Sequence, residues 1–313
     1  MNNLVSVVIV CMNNVENLIP CLNSVIKNTT VSHEIFVTAY KFTEGNLEKV
    51  RQLFPKVNFV ESNECRGFAE NNNLSLRKVS GKYCFVLNDD TYFEEPVIDK
   101  LVETMEHLPN DCAVVSPNIK NADGTVQCCG LPPSTWIDFI GSLFKISFHK
   151  KDYSKYYNQQ GIFKSYNLMG AAFLIKTDIF KEAGFFDEYY FFSPEDWALS
   201  TYLNEKGYSV YVNSDVSLIH LGGGSFNFTK TSLATYPAFY KGNLHFYSGK
   251  SITKKILLAS LIEISCILRV IYWRIKTKEE GDRADLISKA LVNTIVSICG
   301  NKTPKQIFIE FFK

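Results

Sequence analysis

Hydrophobic and polar positions along the first two-thirds of the chain fall into strand and helix periods in turn. Val5-Ser6-Val7-Val8-Ile9-Val10 is a short apolar run with β-branched residues at both parities, the pattern of a strand covered on both faces. Asn13-Asn14 interrupts it, and Leu18, Leu22, Val25 and Ile26 then recur at helical spacing over residues 15–28. The alternation continues with a strand at Ile35-Phe36-Val37, a helix over 46–54 that stops before Pro55, and a strand at Val57-Asn58-Phe59-Val60. A helix over 68–79, with Gly81 just past its end, leads to the strand Tyr83-Cys84-Phe85-Val86-Leu87. Parallel neighbours need a crossover, and a helix is the usual one, so this order predicts a doubly wound, mostly parallel α/β sheet flanked by helices.

Beyond residue 90 the pattern predicts a helix from Pro96 to His107, a strand at 113–116 and a hairpin turn at Asp123-Gly124. A strand over 169–175, a helix opened by Ser193-Pro194-Glu195-Asp196 and closed by Gly207, and a last strand at 216–219 follow. Residues 131–166 have no clear period but hold nine aromatic side chains; a long irregular stretch inside a domain is usually functional or mobile. The tail changes character. Leu257, Leu261, Ile264, Leu268 and Ile271 are spaced 4-3-4-3 and form one helical stripe, with Lys255, Glu263, Arg269, Arg274 and Lys276 projecting elsewhere. Glu263 and Arg269 interrupt a transmembrane reading, so an interfacial helix with basic flanks is expected, the alternative being a helix packed on the body of the protein. A second tail helix is expected over 284–299, ended by Gly300.

Composition sharpens this division. The 313 residues are 46% hydrophobic, ample for a core. Residues 1–240 hold 20 Lys/Arg against 26 Asp/Glu, whereas residues 241–313 hold 13 against 6. The expected organisation is a domain over 1–240, with halves at about 1–116 and about 117–240, and a basic helical tail over 241–313 that meets an anionic membrane surface. Its charges alternate with an apolar stripe rather than forming a continuous basic face, which argues against nucleic acid. Nine cysteines, an odd number without zinc-finger spacing, read as reduced, mostly buried thiols. With no leader pattern at Met1, a cytoplasmic protein is expected, peripheral on the inner face of the cell membrane.

Four constellations carry candidate chemistry. Asn88-Asp89-Asp90 emerges from a buried strand, where oxygen ligands suit Mg²⁺ or Mn²⁺ and a phosphate, or form a solvated turn. Glu195-Asp196 opens a helix, where Asp196 is either a general base or the third residue of a capping box begun by Ser193. His220, followed by three glycines and Ser225, is a metal ligand or a structural strand-end histidine. Arg66-Gly67, ahead of a helix running through Asn73, is an anion site or a polar loop.

Taken in order, these segments resemble the family 2 inverting glycosyltransferases, and among them the rhamnosyltransferase-like members. Residues 5–26 resemble the first strand and helix, Asn63 to Asn73 the Asn-x-x-Gly-Phe-Ala…Asn segment, and Leu87-Asn88-Asp89-Asp90 the Asp-x-Asp variant. Gly170-Ala171 through Gly184-Phe185-Phe186-Asp187-Glu188, then Glu195-Asp196, then His220-Leu221-Gly222-Gly223-Gly224-Ser225, complete the match over about 5–226. The resemblance implies a GT-A fold and a hexosyltransferase using a dTDP-, UDP- or GDP-linked sugar donor and a lipid-linked oligosaccharide acceptor in cell-surface polysaccharide synthesis. It implies Asp90, Asn88 and His220 as metal ligands and Asp196, with Glu195, as the catalytic acidic pair. Arg66, Gly67, Asn73, Asn88 and Asp89 are then placed at the donor. One departure stands out. The family usually has a base-contacting carboxylate after the second strand, where this chain has Thr38-Ala39-Tyr40-Lys41. Tyr40 stacking on the base is one expectation; the alternative is a catalytically silent sugar-binding or scaffold subunit. A sugar nucleotidyltransferase is disfavoured because Cys11-Met12-Asn13-Asn14 has no glycine to cradle phosphate.

Overall fold

The computed structural model describes residues 4–147, 153–222 and 229–312. The chain divides into two compact units, one of residues 1–133, 152–187 and 196–222, the other of residues 134–151, 188–195 and 223–313. In chain order the elements are β1 (Val5–Cys11), α1 (Val15–Lys27), β2 (His33–Tyr40), α2 (Glu44–Leu53), β3 (Asn58–Ser62), α3 (Phe68–Leu76) and β4 (Tyr83–Asn88). Next come β5 (Thr91–Tyr92), α4 (Val97–His107), β6 (Cys112–Lys120), β7 (Val126–Cys128), α5 (Trp136–Phe144), β8 (Ile162–Ser165), β9 (Ala172–Lys176) and α6 (Thr177–Glu182). The chain closes with α7 (Glu195–Glu205), β10 (Ser209–His220), α8 (Ser232–Ser248), α9 (Ile252–Ile298) and α10 (Pro304–Phe311).

The first unit is a mixed α/β layer structure on one sheet of order β3-β2-β1-β4-β9-β6-β10-β5, with β7 on β6 and β8 on β10. Strands β1 to β4 are parallel, as the alternation requires. β9 runs antiparallel to both β4 and β6, and β6 is parallel to β10. Two reversals cancel, so β6 and β10 point the same way as β1 to β4, and the carboxyl ends of all six share one rim. That rim carries Asn88 at the end of β4 and His220 at the end of β10.

Successive side chains alternate faces. Val5, Val7 and Ile9 pack with Leu18 and Leu22 of α1 and Leu101 of α4. Val8 and Val86 pack on the other face with Leu76 of α3, Phe180 of α6 and Leu199 and Leu203 of α7. Each such fully buried side chain contributes roughly 1.5–3 kcal/mol, which explains why β1 and β4 read as continuous apolar runs. All nine cysteines are free; Cys65 and Cys128 are partly exposed and Cys299 is exposed, the other six buried.

The second unit is helical. Phe139 and Leu143 of α5, Tyr240 and Leu244 of α8, and Leu258, Ile262, Cys266, Ile287 and Leu291 of α9 form its core. A helical break at Gly281 (φ +50°) divides α9. Helix α8 lies wholly in this unit. The segment Ile252–Lys276 is long and apolar enough to cross a membrane by length and composition, with mean hydropathy 1.9. Its faces differ. Leu258, Ile262, Cys266 and Val270 are buried, whereas Leu257, Ile264, Leu268 and Ile271 are 46–55% exposed. The two interrupting charges are bonded within the unit: Arg269 donates to the hydroxyls of Tyr240 (2.9 Å) and Tyr236 (2.6 Å), and Glu263 accepts from the exposed Cys299 thiol (3.1 Å).

Candidate active site

The acidic triplet sits where β4 leaves the sheet. The Asn88 N–H donates to the Ala171 carbonyl at 2.9 Å, and its own carbonyl accepts from the Thr91 hydroxyl at 2.8 Å, which turns the chain back into β5. β5 pairs antiparallel with the end of β10, with Thr91 opposite His220. This pairing brings Asp90 and His220 together across 130 residues of sequence: Asp90 Oδ1 lies 3.1 Å from His220 Nε2. Asn88 Nδ2 is 3.3 Å from the same ring nitrogen, and the Leu221 N–H donates to the Asp90 carbonyl at 2.8 Å. Burial pushes the Asp90 carboxyl up, but the neighbouring His220 and backbone N–H donors outweigh it, leaving Asp90 below its ordinary carboxylate value. Asp89 is pushed up to about 6, chiefly by burial, against a hydrogen bond with the Cys11 thiol.

Asp196 is the second residue of α7. Its Oδ2 accepts from the Gly170 N–H at 3.2 Å and its Oδ1 from the Trp197 N–H at 2.8 Å. The capping-box expectation with Ser193 is therefore corrected: α7 begins at Glu195, and the carboxylate is spent on Gly170 and Trp197, with Ser193 held at φ +50° before it. Gly170 precedes Ala171, whose carbonyl holds Asn88, so Asp196 is fastened to the loop that also fastens the triplet. The opposite side of the site is tied in similarly. The Cys128 thiol is pushed up to about 12 by burial first, then by Cys129 and by the charge of Asp196, and Cys128 follows Gln127, which bonds His220. Asp90, Asp196 and His220 thus gather at one sheet rim. Asp196 itself is pushed up to about 6 by burial, which outweighs the two N–H donors. The residue remains partly exposed, the access a base requires.

The remaining predicted residues are placed differently. Glu195 belongs to the second unit and is 8% exposed. Arg66 sits at the same rim, at the ends of β2 and β3; its side chain pairs with Glu64 at 2.6 Å and reaches Ser62 Oγ at 3.2 Å, and its N–H meets the Tyr40 hydroxyl at 3.4 Å. Tyr40 is 9% exposed, so its ring is largely committed to the protein rather than open for base stacking. The Gly67 N–H donates to Glu70 Oε2 at 3.3 Å; a carboxylate of the chain already occupies the helix N-terminus expected for phosphate. Asn73 is corrected outright. It is fully buried, donating to the Phe186 carbonyl at 2.8 Å and accepting from the Phe186 N–H at 3.1 Å. It clasps the segment after α6 to α3 and cannot touch a nucleotide. Asn73→Ala should lower stability by roughly 2–4 kcal/mol, because two buried backbone groups lose their partner, and leave nucleotide affinity of the folded protein unchanged; denaturant titration and calorimetry check both.

Among the described residues no group of three or more His, Cys, Asp or Glu forms a ready-made metal cage. Asp90 and His220 are a two-residue set, and Asn88 at present turns its amide nitrogen toward the ring. Gly223, Gly224 and Ser225 lie outside the described residues.

Comparison with known proteins fits this geometry. The Glycosyl transferase family 2 model matches residues 6–184, more than half of the chain. The chain belongs to glycosyl transferase family 2. The family 2 match spans β1 through α6, including the triplet and Gly170 but stopping short of Asp196 and His220. No curated protein sequence matches the chain. Solved structures with the same fold include a mannosyltransferase, PcManGT from Pyrobaculum calidifontis, in complex with GDP-Man and Mn²⁺ (14% identity, TM-score 0.54, 94% of this chain and 88% of that one). Others are GalNAc-T7 with UDP, GalNAc and Mn²⁺ (16%, 0.55, 70% and 44%) and TarS from S. aureus (14%, 0.52, 94% and 44%). The family 2 chain therefore spans less than half the length of the last two. Its fold is the mixed α/β fold of the GT-A glycosyltransferases.

Proposed function

We propose that this glycosyltransferase moves a hexose from a nucleoside-diphosphate donor to a hydroxyl of a lipid-linked glycan, with inversion at the anomeric carbon, during cell-surface polysaccharide synthesis. The observation that carries the reading is the placement of a partly exposed carboxylate, Asp196, on the loop that also positions Asn88 beside the Asp90–His220 pair. In this role Asp196 accepts the proton of the acceptor hydroxyl as its oxygen bonds to the anomeric carbon and the bond to the diphosphate breaks. Two electron-pair donors, a carboxylate oxygen and an imidazole nitrogen, face each other at 3.1 Å, a donor set that fits Mn²⁺ or Mg²⁺. Asp90 and His220, with the Asn88 amide oxygen as a third contact, would hold the cation, which supplies neutralisation of the charge on the departing diphosphate. Support for the donor class comes from the structural neighbours solved with UDP or GDP-Man and Mn²⁺. The exposed face of α9, described above, supports work at an anionic membrane surface.

The test is a panel of dTDP-, UDP- and GDP-sugars with Mn²⁺, monitored by calorimetry and by release of the nucleoside diphosphate. Asp90→Ala is expected to lower turnover at least about 100-fold and to weaken Mn²⁺-dependent nucleotide binding. Full activity in this variant sinks the cation site. Absence of nucleotide binding by the unmodified protein sinks the enzymatic reading in favour of a silent scaffold subunit.

A further inference from the structure

His220 faces the rim with Nε2 and the hairpin β6–β7 with Nδ1, where Gln127 Oε1 lies 2.6 Å away. Gln127 is partly exposed and lies 93 residues earlier in the chain. Its partners fix the direction of the contact. Asp123 is a carboxylate and only accepts; the Thr125 hydroxyl donates to its Oδ1 at 2.6 Å. The Thr125 oxygen therefore accepts from Asn121 Nδ2 at 3.0 Å. Asn121 must then turn its oxygen the other way, where Gln127 Nε2 donates to it at 3.0 Å. Gln127 is left with its oxygen toward the imidazole, and Nδ1 must carry the proton. A chain of four hydrogen bonds, anchored on an acceptor-only group, sets the polarity at its far end.

The neutral ring consequently has a bare Nε2, aimed at the Asp90 carboxylate 3.1 Å away. We propose that Gln127 is a positioning residue that locks His220 in the Nδ1–H tautomer, so that Nε2 is kept free to bind the cation together with Asp90. This rests on the reading of Asp90 and His220 as the cation site. A hydrogen-bond partner on the far nitrogen of a metal-binding histidine does just this in metal sites generally, orienting the ring and choosing the nitrogen that binds.

Gly222 supports the assignment independently. It has φ +58°, and a Cβ there would come within 2.9 Å of Gln127 Nε2 and 3.8 Å of His220 Nδ1. The first described glycine after His220 is thus the residue that leaves space for the glutamine, in addition to adopting a left-handed conformation that favours glycine.

The experiment uses full-length protein labelled with ¹⁵N-histidine, metal-free at pH 8, with His220 assigned from a His220→Ala spectrum. Long-range ¹H–¹⁵N correlation reports which ring nitrogen bears the proton, and calorimetry with Mn²⁺ plus a nucleoside diphosphate reports affinity. Wild type is expected as Nδ1–H. Gln127→Leu is expected to lose that single tautomer and bind Mn²⁺ roughly 10–100-fold more weakly, whereas Gln127→Glu, which still accepts from Nδ1, keeps the tautomer and the affinity. Gly222→Ala should shift both readouts in the direction of Gln127→Leu. An Nδ1–H ring and unchanged affinity in folded Gln127→Leu overturn the proposal. If wild type itself binds no Mn²⁺, the cation site fails, and the tautomer spectra still decide whether Gln127 sets the ring.

Discussion

Asp196→Asn is expected to lower kcat/KM by roughly 10²–10⁴-fold, the range for loss of a general base, and at the same time to stabilise the fold above pH 6. Both effects have one source. Burial raises the folded-state pKa of Asp196 from 3.8 to about 6, so the folded protein favours the protonated acid relative to the unfolded chain. Below pH 3.8 the group is protonated in both states and its pKa shift has no effect on stability. As pH rises from there through about 6, stability is lost, and above 6 the whole cost of a charge held among packed atoms is present. An amide carries no such charge. Partial exposure of Asp196 and the loss of one acceptor oxygen reduce the gain, leaving roughly 1–2 kcal/mol. Denaturant midpoints at pH 8 and pH 4 should therefore differ between wild type and variant only at the higher pH. Wild-type kcat/KM should fall below a midpoint near 6 as the base is protonated. A variant that is inactive but no more stable at pH 8 would place the lost activity elsewhere than in a strained, ionised base.

The parts of this site that were legible in the sequence are those whose local pattern is enforced by burial on both sides. β1 and β4 are covered on two faces, so their apolar runs located the rim and with it the triplet. His220 was visible as the polar end of a strand whose last positions alternate between buried and half-buried. Asp196 was visible as chemistry, with a capping role at the helix start left open beside it. Spacing shows which helix-start residues are near each other, whereas the competing donor, the Gly170 N–H, is 26 residues away. Asn73 failed in the opposite sense. An Asn on a polar helix face looks open to ligand, yet it is consumed by the backbone of Phe186, 113 residues distant. Gln127 left no local sign, because its meaning depends on the polarity of Asp123, Thr125 and Asn121 acting in series across a hairpin turn. The Asp123-Gly124 turn itself was readable. Helix α5 lay hidden in the aromatic segment, because its nine residues are nearly all apolar and present no polar face to make the period visible.

The tail stripe is the case where a sequence pattern and a packed helix gave the same period for different reasons. One face of α9, through Leu258, Ile262, Cys266 and Val270, packs inside the second unit; the other, through Leu257, Ile264, Leu268 and Ile271, remains 46–55% exposed. Lys254 and Lys255 precede this face and Arg274 and Lys276 follow it, while Glu263 bonds Cys299 and Arg269 bonds Tyr236 and Tyr240. An uncharged apolar strip between cationic ends matches an anionic bilayer interface, with acyl chains meeting the aliphatics and headgroups the lysines and arginines. A span across the bilayer would instead carry Glu263 and Arg269 into the hydrocarbon together with their partners. The full-length protein should pellet with vesicles containing phosphatidylserine. Ile264→Glu combined with Leu268→Glu removes two inserting side chains and places two carboxylates at the headgroup boundary, so partitioning should fall by at least about 100-fold, or roughly 2.7 kcal/mol. Replacing Lys254, Lys255, Arg274 and Lys276 with glutamine should weaken binding by about 1 kcal/mol per charge and flatten its salt dependence. Both variant sets alter exposed positions of one helix and should keep the wild-type far-ultraviolet circular dichroism. Undiminished pelleting of the double glutamate variant would exclude this face as the contact, and binding that is equal on neutral and anionic vesicles would exclude the basic ends.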